Sequence, residues 1–209
     1  MTFLAVPNYG SIHPATMFSV MNASQYPTEI HARTSSFLID SFNDAWCRFL
    51  DSEAKYFAMI HADIGTDPLW IDDLIKEMEE EKLEVLSSVI AIKDNSAQTS
   101  TGVLREKKIH RLSFSDTKEL PQTFTSNTLN GTLLINTGLW VATRSAWMEE
   151  FPGFSVASKI IVQDGKHSTV PLPEDWSFSL WLHSKQIPYG ATTLLPTDHY
   201  GLTSFTYAH

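Results

Sequence analysis

The sequence predicts an α/β protein with a mainly parallel sheet that is flanked by helices. Strand-like apolar runs alternate with helical patterns through the first half of the chain, and this alternation is typical of parallel sheets. Hydrophobic residues make up 43% of the sequence and charged residues 19%, which is enough apolar material for a packed core. The length of 209 residues fits one compact domain, so we expect residues 1–209 to form a single domain.

Five apolar runs predict the strands of this sheet. The first run is followed by Pro7-Asn8-Tyr9-Gly10, which predicts a loop directly after a buried strand. The fourth run is interrupted by Asn136-Thr137-Gly138. The predicted strands cover residues 2–6, 55–62, 84–92, 132–143 and 191–195.

Helices are predicted where apolar residues recur at helical spacing. Between residues 35 and 50, Phe42 and Phe49 recur with polar residues between them. Asp67 and Pro68 predict the start of a second helix, as its N-cap and its first helical residue. Further helices are predicted at residues 15–21, 145–150 and 174–186, a short hairpin within residues 93–128, and a long loop at residues 152–172.

The chain carries 15 basic and 24 acidic residues, which gives a formal net charge of −9. Because non-specific binding to nucleic acid needs a basic surface, this balance predicts no nucleic-acid partner. An acidic protein that binds a phosphate-bearing ligand must offset the charge of that ligand. It can do so with a metal ion, with helix N-termini or with a few placed basic residues.

The sequence has one cysteine, Cys47, which rules out an internal disulfide and a cysteine-based zinc site and fits a reducing cytosol. The apolar start is too short and too uncharged for a signal peptide. No apolar run approaches the ~20 residues that a membrane-spanning helix needs. We therefore expect a cytoplasmic protein without a membrane span, and the sequence contains no pattern that sets its oligomeric state.

An acidic residue, Asp63, stands where the predicted strand 55–62 ends. In open α/β sheets, ligands bind outside the carboxyl ends of the strands, and a hard divalent cation prefers oxygen ligands such as a carboxylate. Asp63 is therefore a candidate metal ligand. On spacing alone, the alternative is that its side chain only caps the following turn.

Two carboxylates, Glu174 and Asp175, open the predicted helix 174–186. A helix N-terminus stabilises carboxylates, so the simpler interpretation is a capping pair. The functional interpretation is a general base that takes a proton from an acceptor hydroxyl.

A histidine, His199, follows the last predicted strand in the segment Asp198-His199-Tyr200-Gly201. An imidazole in such a position can bind a metal ion. A lone histidine is more often structural, and the sequence contains 8 histidines, so spacing alone leaves both interpretations open.

Six segments of the chain occur in a recognisable order, namely residues 6–10, 31–33, 56–64, 136–144, 173–178 and 198–201. This order resembles GT-A glycosyltransferases, in particular the broad family-2-like group. The resemblance runs from about residue 2 to residue 201, nearly the whole chain. Each segment is a weak signal alone, but their order and spacing together are fairly specific.

The resemblance implies a UDP-sugar donor and a divalent cation, Mn²⁺ or Mg²⁺, as cofactor. In such enzymes the loop after the first strand holds the nucleotide base, which assigns Pro7, Asn8 and Tyr9 to the donor site. Arg33 matches the arginine of the family's frequent Ala-Arg-Asn, so its guanidinium is expected to contact base or phosphate. The acceptor is left as an unidentified glycan or small molecule.

The family's Asp-x-Asp motif corresponds to His61-Ala62-Asp63. The resemblance implies that Asp63 binds the metal at the diphosphate and that His199 completes the metal shell. His61 replaces the first carboxylate, which usually meets the ribose or a metal-bound water. An imidazole there would hydrogen-bond a ribose hydroxyl, shift the preference from Mg²⁺ toward Mn²⁺, or mark a weakened site.

For the chemistry, the resemblance assigns the base to Asp175 by position, with Glu174 as the reserve or as an acceptor contact. Gly138 would let the backbone approach the sugar closely, and the predicted loop 152–172 would close over the donor. The implied reaction transfers the sugar to an acceptor hydroxyl with inversion at the anomeric carbon.

Three alternative functions stay open. A nucleotide-sugar-binding protein with weakened catalysis is suggested by His61, which stands in place of an acid. A nucleotidyltransferase or pyrophosphatase is disfavoured, because residues 7–14 contain one glycine and no lysine or arginine for a phosphate loop. An interaction module would leave three clusters of carboxylates and histidine at strand and helix ends unexplained.

Overall fold

The computed structural model of the protein describes residues 1–94, 96–106, 108–163, 165–201 and 204–207, and it describes their side chains except at positions 159, 161, 163 and 204–207. These ranges form a mixed α/β fold with a large mixed sheet and helices on both of its faces. The α/β class predicted from the sequence is confirmed at this level. No helix in these ranges is long and apolar enough to cross a bilayer.

The secondary structure alternates strands and helices up to β5, except that β4 follows β3 directly, and it is mixed beyond β5. The strands are β1 (Thr2–Asn8), β2 (Thr28–Thr34), β3 (Tyr56–Ile60), β4 (Ile64–Thr66), β5 (Val85–Ser88), β6 (Gln98–Arg105), β7 (Lys108–Ser113), β8 (Thr123–Phe124), β9 (Thr132–Leu134), β10 (Leu139–Thr143), β11 (Ala157–Gln163), β12 (Lys166–Leu172), β13 (Tyr189–Thr192), β14 (Thr197–Tyr200) and β15 (Ser204–Tyr207). The helices are α1 (Pro14–Met21), α2 (Leu38–Asp51), α3 (Trp70–Glu80), α4 (Phe114–Lys118), α5 (Ser126–Leu129), α6 (Trp147–Glu150) and α7 (Glu174–Ser184).

The main sheet has the strand order β2-β1-β3-β10-β5-β13-β8. The strands β2, β1, β3, β5 and β13 run in one direction, whereas β10 and β8 run against them. The sheet is therefore mainly parallel, as predicted. Because the parallel strands end at the same edge of the sheet, the segments that follow β1, β3, β5 and β13 meet there. We call this edge the carboxyl edge.

The two faces of the main sheet are buried against different helices. Successive side chains of a strand point to opposite faces, and in β3 Phe57 and Met59 join one apolar cluster while Ala58 and Ile60 join the other. Helices α2, α6 and α7 cover the first face, and α1 and α3 cover the second. Burial on both faces explains why the central strands are apolar throughout instead of alternating with polar residues.

The edge strand β2 was not predicted, because its sequence is polar. Its side chains are half-buried or exposed, and it lies at the outside of the sheet. Main-chain pairing with β1 along its whole length holds it in place. The same pairing extends β1 beyond the predicted run, through Pro7 and Asn8. Proline is tolerated there because the pairing of β1 with β3 ends at Ala5.

The prediction of a long loop at residues 152–172 is partly wrong, because β11 and β12 form an antiparallel hairpin within this segment. Residue 164, at the turn, lies outside the described residues. The strands are exposed along most of their length. Ile160 and Val162 are among the exposed side chains, and the apolar residues of the hairpin do not alternate with polar ones in the way that predicts a half-buried strand.

The helix predicted to start at Asp67 starts at Trp70 instead. Its N-cap is Leu69, whose φ of 64° places it in the left-handed region. The Leu69 N–H donates to the carbonyl oxygen of Asn22 at 2.7 Å. This tertiary hydrogen bond turns the chain before the helix, so the local Asp-Pro signal does not decide where the helix begins.

Trp46 of α2 lies at the centre of the aromatic cluster on the first face. It is 3% exposed, and its ring centroid lies 5.1 Å from that of Phe57 and 5.5 Å from that of Phe151. The indole N–H donates to the carbonyl oxygen of Met148 at 3.3 Å. The helical periodicity that predicted α2 therefore marks the side chains that join it to the sheet.

Replacing Trp46 with alanine should lower the free energy of unfolding by ~3–5 kcal/mol, because a large buried aromatic side chain is removed. Phe37→Ala is the matched control, since Phe37 is 65% exposed and should change stability by less than about 0.5 kcal/mol. Urea unfolding followed by circular dichroism measures both. Equal stability of the two variants would contradict this description of the core.

Candidate functional site

The chain that follows β3 is fixed at the carboxyl edge by main-chain hydrogen bonds. The carbonyl oxygen of Ala62 accepts from the N–H of His13 at 2.7 Å, and the carbonyl oxygen of Asp63 accepts from the N–H of Tyr200 at 2.8 Å. The pairing of β4 with β14 sets Ile64 opposite His199. These contacts hold the turn at Asp63 between α1 and β14.

Asp63 and His199, which we call the carboxylate–imidazole pair, are brought together by this turn. The distance from His199 Nε2 to Asp63 Oδ1 is 3.6 Å. His199 Nδ1 lies 2.8 Å from the carbonyl oxygen of Ala91. Because a carbonyl oxygen only accepts, Nδ1 carries a proton, and this hydrogen bond directs Nε2 toward Asp63.

The ammonium group of Lys93, in the segment after β5, contacts Asp63 Oδ2. Burial raises the pKa of Asp63, but the neighbouring His199 and Lys93 outweigh it and hold the pKa of this carboxyl well below its usual range. Asp63 is therefore ionised at neutral pH and able to act as an anionic ligand.

The carboxylate–imidazole pair fits a divalent cation in its chemistry. A metal-binding histidine usually donates its other ring N–H to a carbonyl or carboxylate, and His199 does this with Ala91. Within the described ranges, no group of three or more His, Cys, Asp or Glu side chains gathers at one place. A cation here would have two protein ligands and would need the rest from a bound ligand or water, as is common for Mg²⁺ with phosphates.

His61 precedes this pair and is fixed by its main chain, whose N–H donates to the carbonyl oxygen of Gly138 at 2.8 Å. Its ring centroid lies 5.2 Å from that of Phe42. Burial lowers the pKa of His61 to about 4, so its ring is neutral at pH 7. Its Nε2 is buried, and it has no hydrogen-bond partner among the described residues. A buried polar atom of this kind calls for a partner from a ligand or water.

The loop after β1 is shaped by Asn8, whose side chain is 4% exposed. Its Oδ1 accepts from the N–H of Gly10 at 3.0 Å and from Thr34 Oγ1 at 2.6 Å. Its Nδ2 donates to the carbonyl oxygen of Arg33 at 3.1 Å. The amide therefore ties the ends of β1 and β2 together, while the neighbouring Tyr9 is 70% exposed and available to a ligand.

Arg33 lies on β2 and is engaged by two carboxylates of α2. Its NH2 contacts Asp40 Oδ2 and its NH1 contacts Asp44 Oδ1, each at 2.5 Å. Asp44 also pairs with His31 at 2.8 Å. The expected contact of Arg33 with a base or phosphate stays a prediction, and it would require Arg33 to share or exchange these partners.

Glu174 and Asp175 are the first two residues of α7 and form a second group. Asp175 Oδ1 accepts from the N–H of Trp176 at 2.7 Å. Burial and the adjacent Glu174 raise the pKa of Asp175 to about 7, against the hydrogen bond from Trp176 and the charge of Arg111. Burial also raises the pKa of Glu174. A carboxylate at a helix N-terminus would normally have a lowered pKa. The pKa values of both residues are raised instead, because desolvation is the largest effect on each.

Gly138 lies where the chain enters β10 and accepts no larger residue without movement. A Cβ there would lie 2.9 Å from Ile90 Cδ1 and 3.4 Å from Asn136 Oδ1. The N–H of Gly138 donates to Asn136 Oδ1 at 3.0 Å. The structure gives Gly138 a packing role, and its expected approach to a sugar stays a prediction.

The segment from Ile90 to Ser100 links the two groups of residues. The carbonyl oxygen of Ile90 accepts from the N–H and the hydroxyl of Ser100, at 2.8 Å and 3.1 Å. The carbonyl oxygen of Ser100 accepts from Trp176 Nε1 at 3.4 Å. Ala91, between them in sequence, holds the ring of His199. One short stretch of main chain thus connects the carboxylate–imidazole pair with the start of α7.

Lys93 and Arg111 are site residues that the sequence analysis missed. Arg111 stacks on Trp176, with its Cζ 4.7 Å from the ring centroid, and donates to the carbonyl oxygen of Thr99 at 3.3 Å. Both lie in residues 93–128, which the sequence predicts only as a polar stretch with a hairpin. A basic residue directly after a buried strand, in a chain of net charge −9, was the available signal for Lys93.

No family model and no curated protein matches the chain. Among solved structures, the crystal structure of A197 from STIV aligns over 96% of this chain and 85% of that chain, with a TM-score of 0.59 and 15% identity. This likeness shows that the two proteins share a fold.

Two further solved structures are less similar. S. aureus TarS 1–349 in complex with UDP-GlcNAc aligns over 57% of this chain and 48% of that chain, with a TM-score of 0.35 and 13% identity. CMP:2-keto-3-deoxy-manno-octonic acid synthetase complexed with CTP aligns over 91% of this chain and 88% of that chain, with a TM-score of 0.46 and 12% identity. Because their TM-scores lie below 0.5, these two structures add nothing to the fold shared with A197.

Gly138→Ala should destabilise the protein by about 1 kcal/mol, because its methyl group overlaps Ile90 Cδ1, which lies at the flexible end of a side chain and can move aside. Ile90→Val removes that atom and should recover part of the loss in the double variant. A double-mutant cycle on the free energies of unfolding measures this coupling. Additive effects of the two substitutions would contradict the contact.

Proposed function

We propose that the protein is a GT-A glycosyltransferase that moves a sugar from a nucleoside-diphosphate sugar, with UDP as the nucleotide, to an acceptor hydroxyl. The observation that carries the proposal is the connection of the Asp63–His199 pair at the carboxyl edge, through residues 90–100, to a carboxyl whose pKa lies near 7. The order of motifs in the sequence supports the same reaction class. The fold shared with A197 supports the architecture only, because a fold does not determine the reaction that a protein catalyses.

The donor would bind along the carboxyl edge. Pro7 and the exposed Tyr9 would contact the base, and His61 Nε2 would find its missing partner in a ribose hydroxyl. Asp63 and His199 would hold the divalent cation, which when bound supplies positive charge that stabilises the leaving diphosphate. An imidazole ligand and a second imidazole nearby favour Mn²⁺ over Mg²⁺ in this site.

Asp175 would act as the general base in an inverting transfer. Its carboxylate takes the proton of the acceptor hydroxyl as the hydroxyl oxygen bonds to the anomeric carbon and the bond from that carbon to the diphosphate breaks. A base is most effective when its pKa lies near the working pH, and the pKa of about 7 meets this condition. Glu174 would contact the acceptor and set the pKa of Asp175 by its charge.

A nucleotide-sugar-binding protein with weakened catalysis is the second candidate. It is favoured by His61, which stands where the related enzymes have an acid. This candidate shares the donor site and differs in the chemistry, so it would bind UDP with a metal ion and transfer no sugar.

Asp63→Asn should weaken UDP binding in the presence of Mn²⁺ by about 30-fold or more. The reason is that the cation, which would bind the diphosphate, loses its charged protein ligand. Chelator should have the same effect on the wild type. Titration calorimetry with Mn²⁺, with Mg²⁺ and with chelator measures this, and Asp51→Asn at the exposed end of α2 is the control. Metal-dependent binding by Asp63→Asn at wild-type strength would refute the donor site.

Asp175→Asn should leave UDP binding nearly intact and lower transfer by ~10²–10⁴-fold, as expected for loss of a general base. In the wild type, kcat/KM should rise with pH through about 7, because Asp175 must lose its proton to act. Glu174→Gln removes the neighbouring charge that raises the pKa of Asp175. The rise of kcat/KM with pH should therefore move to lower pH in this variant. The pH profiles of transfer, with a panel of UDP-sugars and acceptors, measure both effects.

Two outcomes would change the assignment. Transfer that survives in Asp175→Asn would make Glu174 the base, and a product whose anomeric configuration matches the donor in NMR would exclude inversion. UDP binding without transfer of any sugar in the panel would favour the binding protein with weakened catalysis.

A further inference from the structure

The ammonium group of Lys93 lies against Asp63, the carboxylate that the proposed function assigns to the metal ion. Its Nζ contacts Asp63 Oδ2, and both side chains are 37% exposed. The ion pair joins the segments after β3 and β5, two parallel strands of the main sheet. An ammonium group and a divalent cation on one carboxylate repel each other, so they compete for Asp63.

The main chain at Lys93 is fixed beside the carboxylate–imidazole pair. The N–H of Ile92 donates to the carbonyl oxygen of Gln98 at 3.1 Å, and the N–H of Asp94 donates to the carbonyl oxygen of Ile92 at 2.8 Å. Because these bonds hold the Cα of Lys93, its flexible four-carbon side chain decides where the charge lies. Nζ can therefore turn from Asp63 to a group that binds next to it.

Other basic groups near the carboxyl edge are more strongly engaged than Lys93. Arg33 is paired with two carboxylates of α2, and Arg111 is stacked on Trp176. Among the described residues, Lys93 pairs with the single carboxylate Asp63 through a flexible side chain, so it can exchange this partner. In a chain of net charge −9, a mobile positive charge of this kind is one means of offsetting the charge of a diphosphate ligand.

We propose that Lys93 is a counter-charge built into the donor site, which neutralises Asp63 while the site is free and turns to the nucleotide diphosphate when a divalent cation takes Asp63. This inference rests on the proposed function. Removing the ammonium group should have two opposite effects. The metal alone binds more tightly because its competitor is gone, and the nucleotide binds more weakly because a phosphate contact is lost. A surface ion pair without this role produces neither effect.

The test compares Lys93→Met with Lys93→Arg, which keeps the charge, and with Lys185→Met, which removes a lysine paired with Glu150 at 2.8 Å. Electron paramagnetic resonance of free Mn²⁺ measures metal binding to the nucleotide-free protein, and calorimetry measures UDP binding at saturating Mn²⁺. Lys93→Met should bind Mn²⁺ about fivefold more tightly and UDP about fivefold more weakly, as expected for exchange of one partly exposed ion pair. The other two variants should stay within about twofold of the wild type.

The outcomes separate this inference from the proposed function. If the wild type binds UDP with Mn²⁺ and Lys93→Met binds both ligands like the wild type, the role of Lys93 is refuted and the donor site stands. If Lys93→Met loses affinity for both Mn²⁺ and UDP, Lys93 supports the site instead of competing in it, and the proposal also fails. If the wild type binds no UDP under any condition, the donor site and the role of Lys93 are both refuted.

Discussion

The turn after β3 is the constraint on which the rest of the site depends. Two consecutive carbonyl oxygens, those of Ala62 and Asp63, accept main-chain hydrogen bonds from His13 and Tyr200. One bond ties the turn to the start of α1 and the other ties it to β14, which lies far along the chain. The second bond and the β4–β14 pairing set His199 beside Asp63, and the hydrogen bond of its ring to Ala91 completes the placement.

Burial acts on the two acidic groups of the site in the same direction, and their neighbours decide the result. Asp63 has a cation and an imidazole beside it, so its pKa falls although burial would raise it. Asp175 has a second carboxylate beside it, so its pKa rises to about 7 although it opens a helix. Two carboxylates in one protein thus become suited to different tasks, one as a permanently charged ligand and the other as a group that exchanges a proton near neutral pH.

Residues 90–100 give these two groups a common support. The stretch holds the ring of His199 through Ala91, packs Ile90 against Gly138, and accepts the indole N–H of Trp176 at Ser100. It also carries Lys93 to Asp63. A displacement of this stretch would therefore move the carboxylate–imidazole pair and the start of α7 together. A region that is polar in sequence thus contacts both groups of the site.

The sequence by itself determined the α/β class, the parallel character of the sheet and the positions of β3, α2 and α7, because apolar periodicity and helix-start signals are local. It also singled out Asp63, Asp175 and His199, since each stands at the end of a predicted strand or the start of a predicted helix. It did not predict β2, which is polar, or the β11–β12 hairpin, whose apolar residues do not alternate with polar ones.

Only the tertiary structure decided which candidates meet and what state they are in. The orientation of the His199 ring depends on a carbonyl oxygen 108 residues away, and Lys93 reaches Asp63 across 30 residues of sequence. The pKa of Asp175 depends on burial and on Arg111 as well as on its neighbour in sequence. Each of these properties depends on contacts between distant segments and on the exclusion of water around those contacts. A one-dimensional pattern does not encode them, because they exist only once the chain has packed.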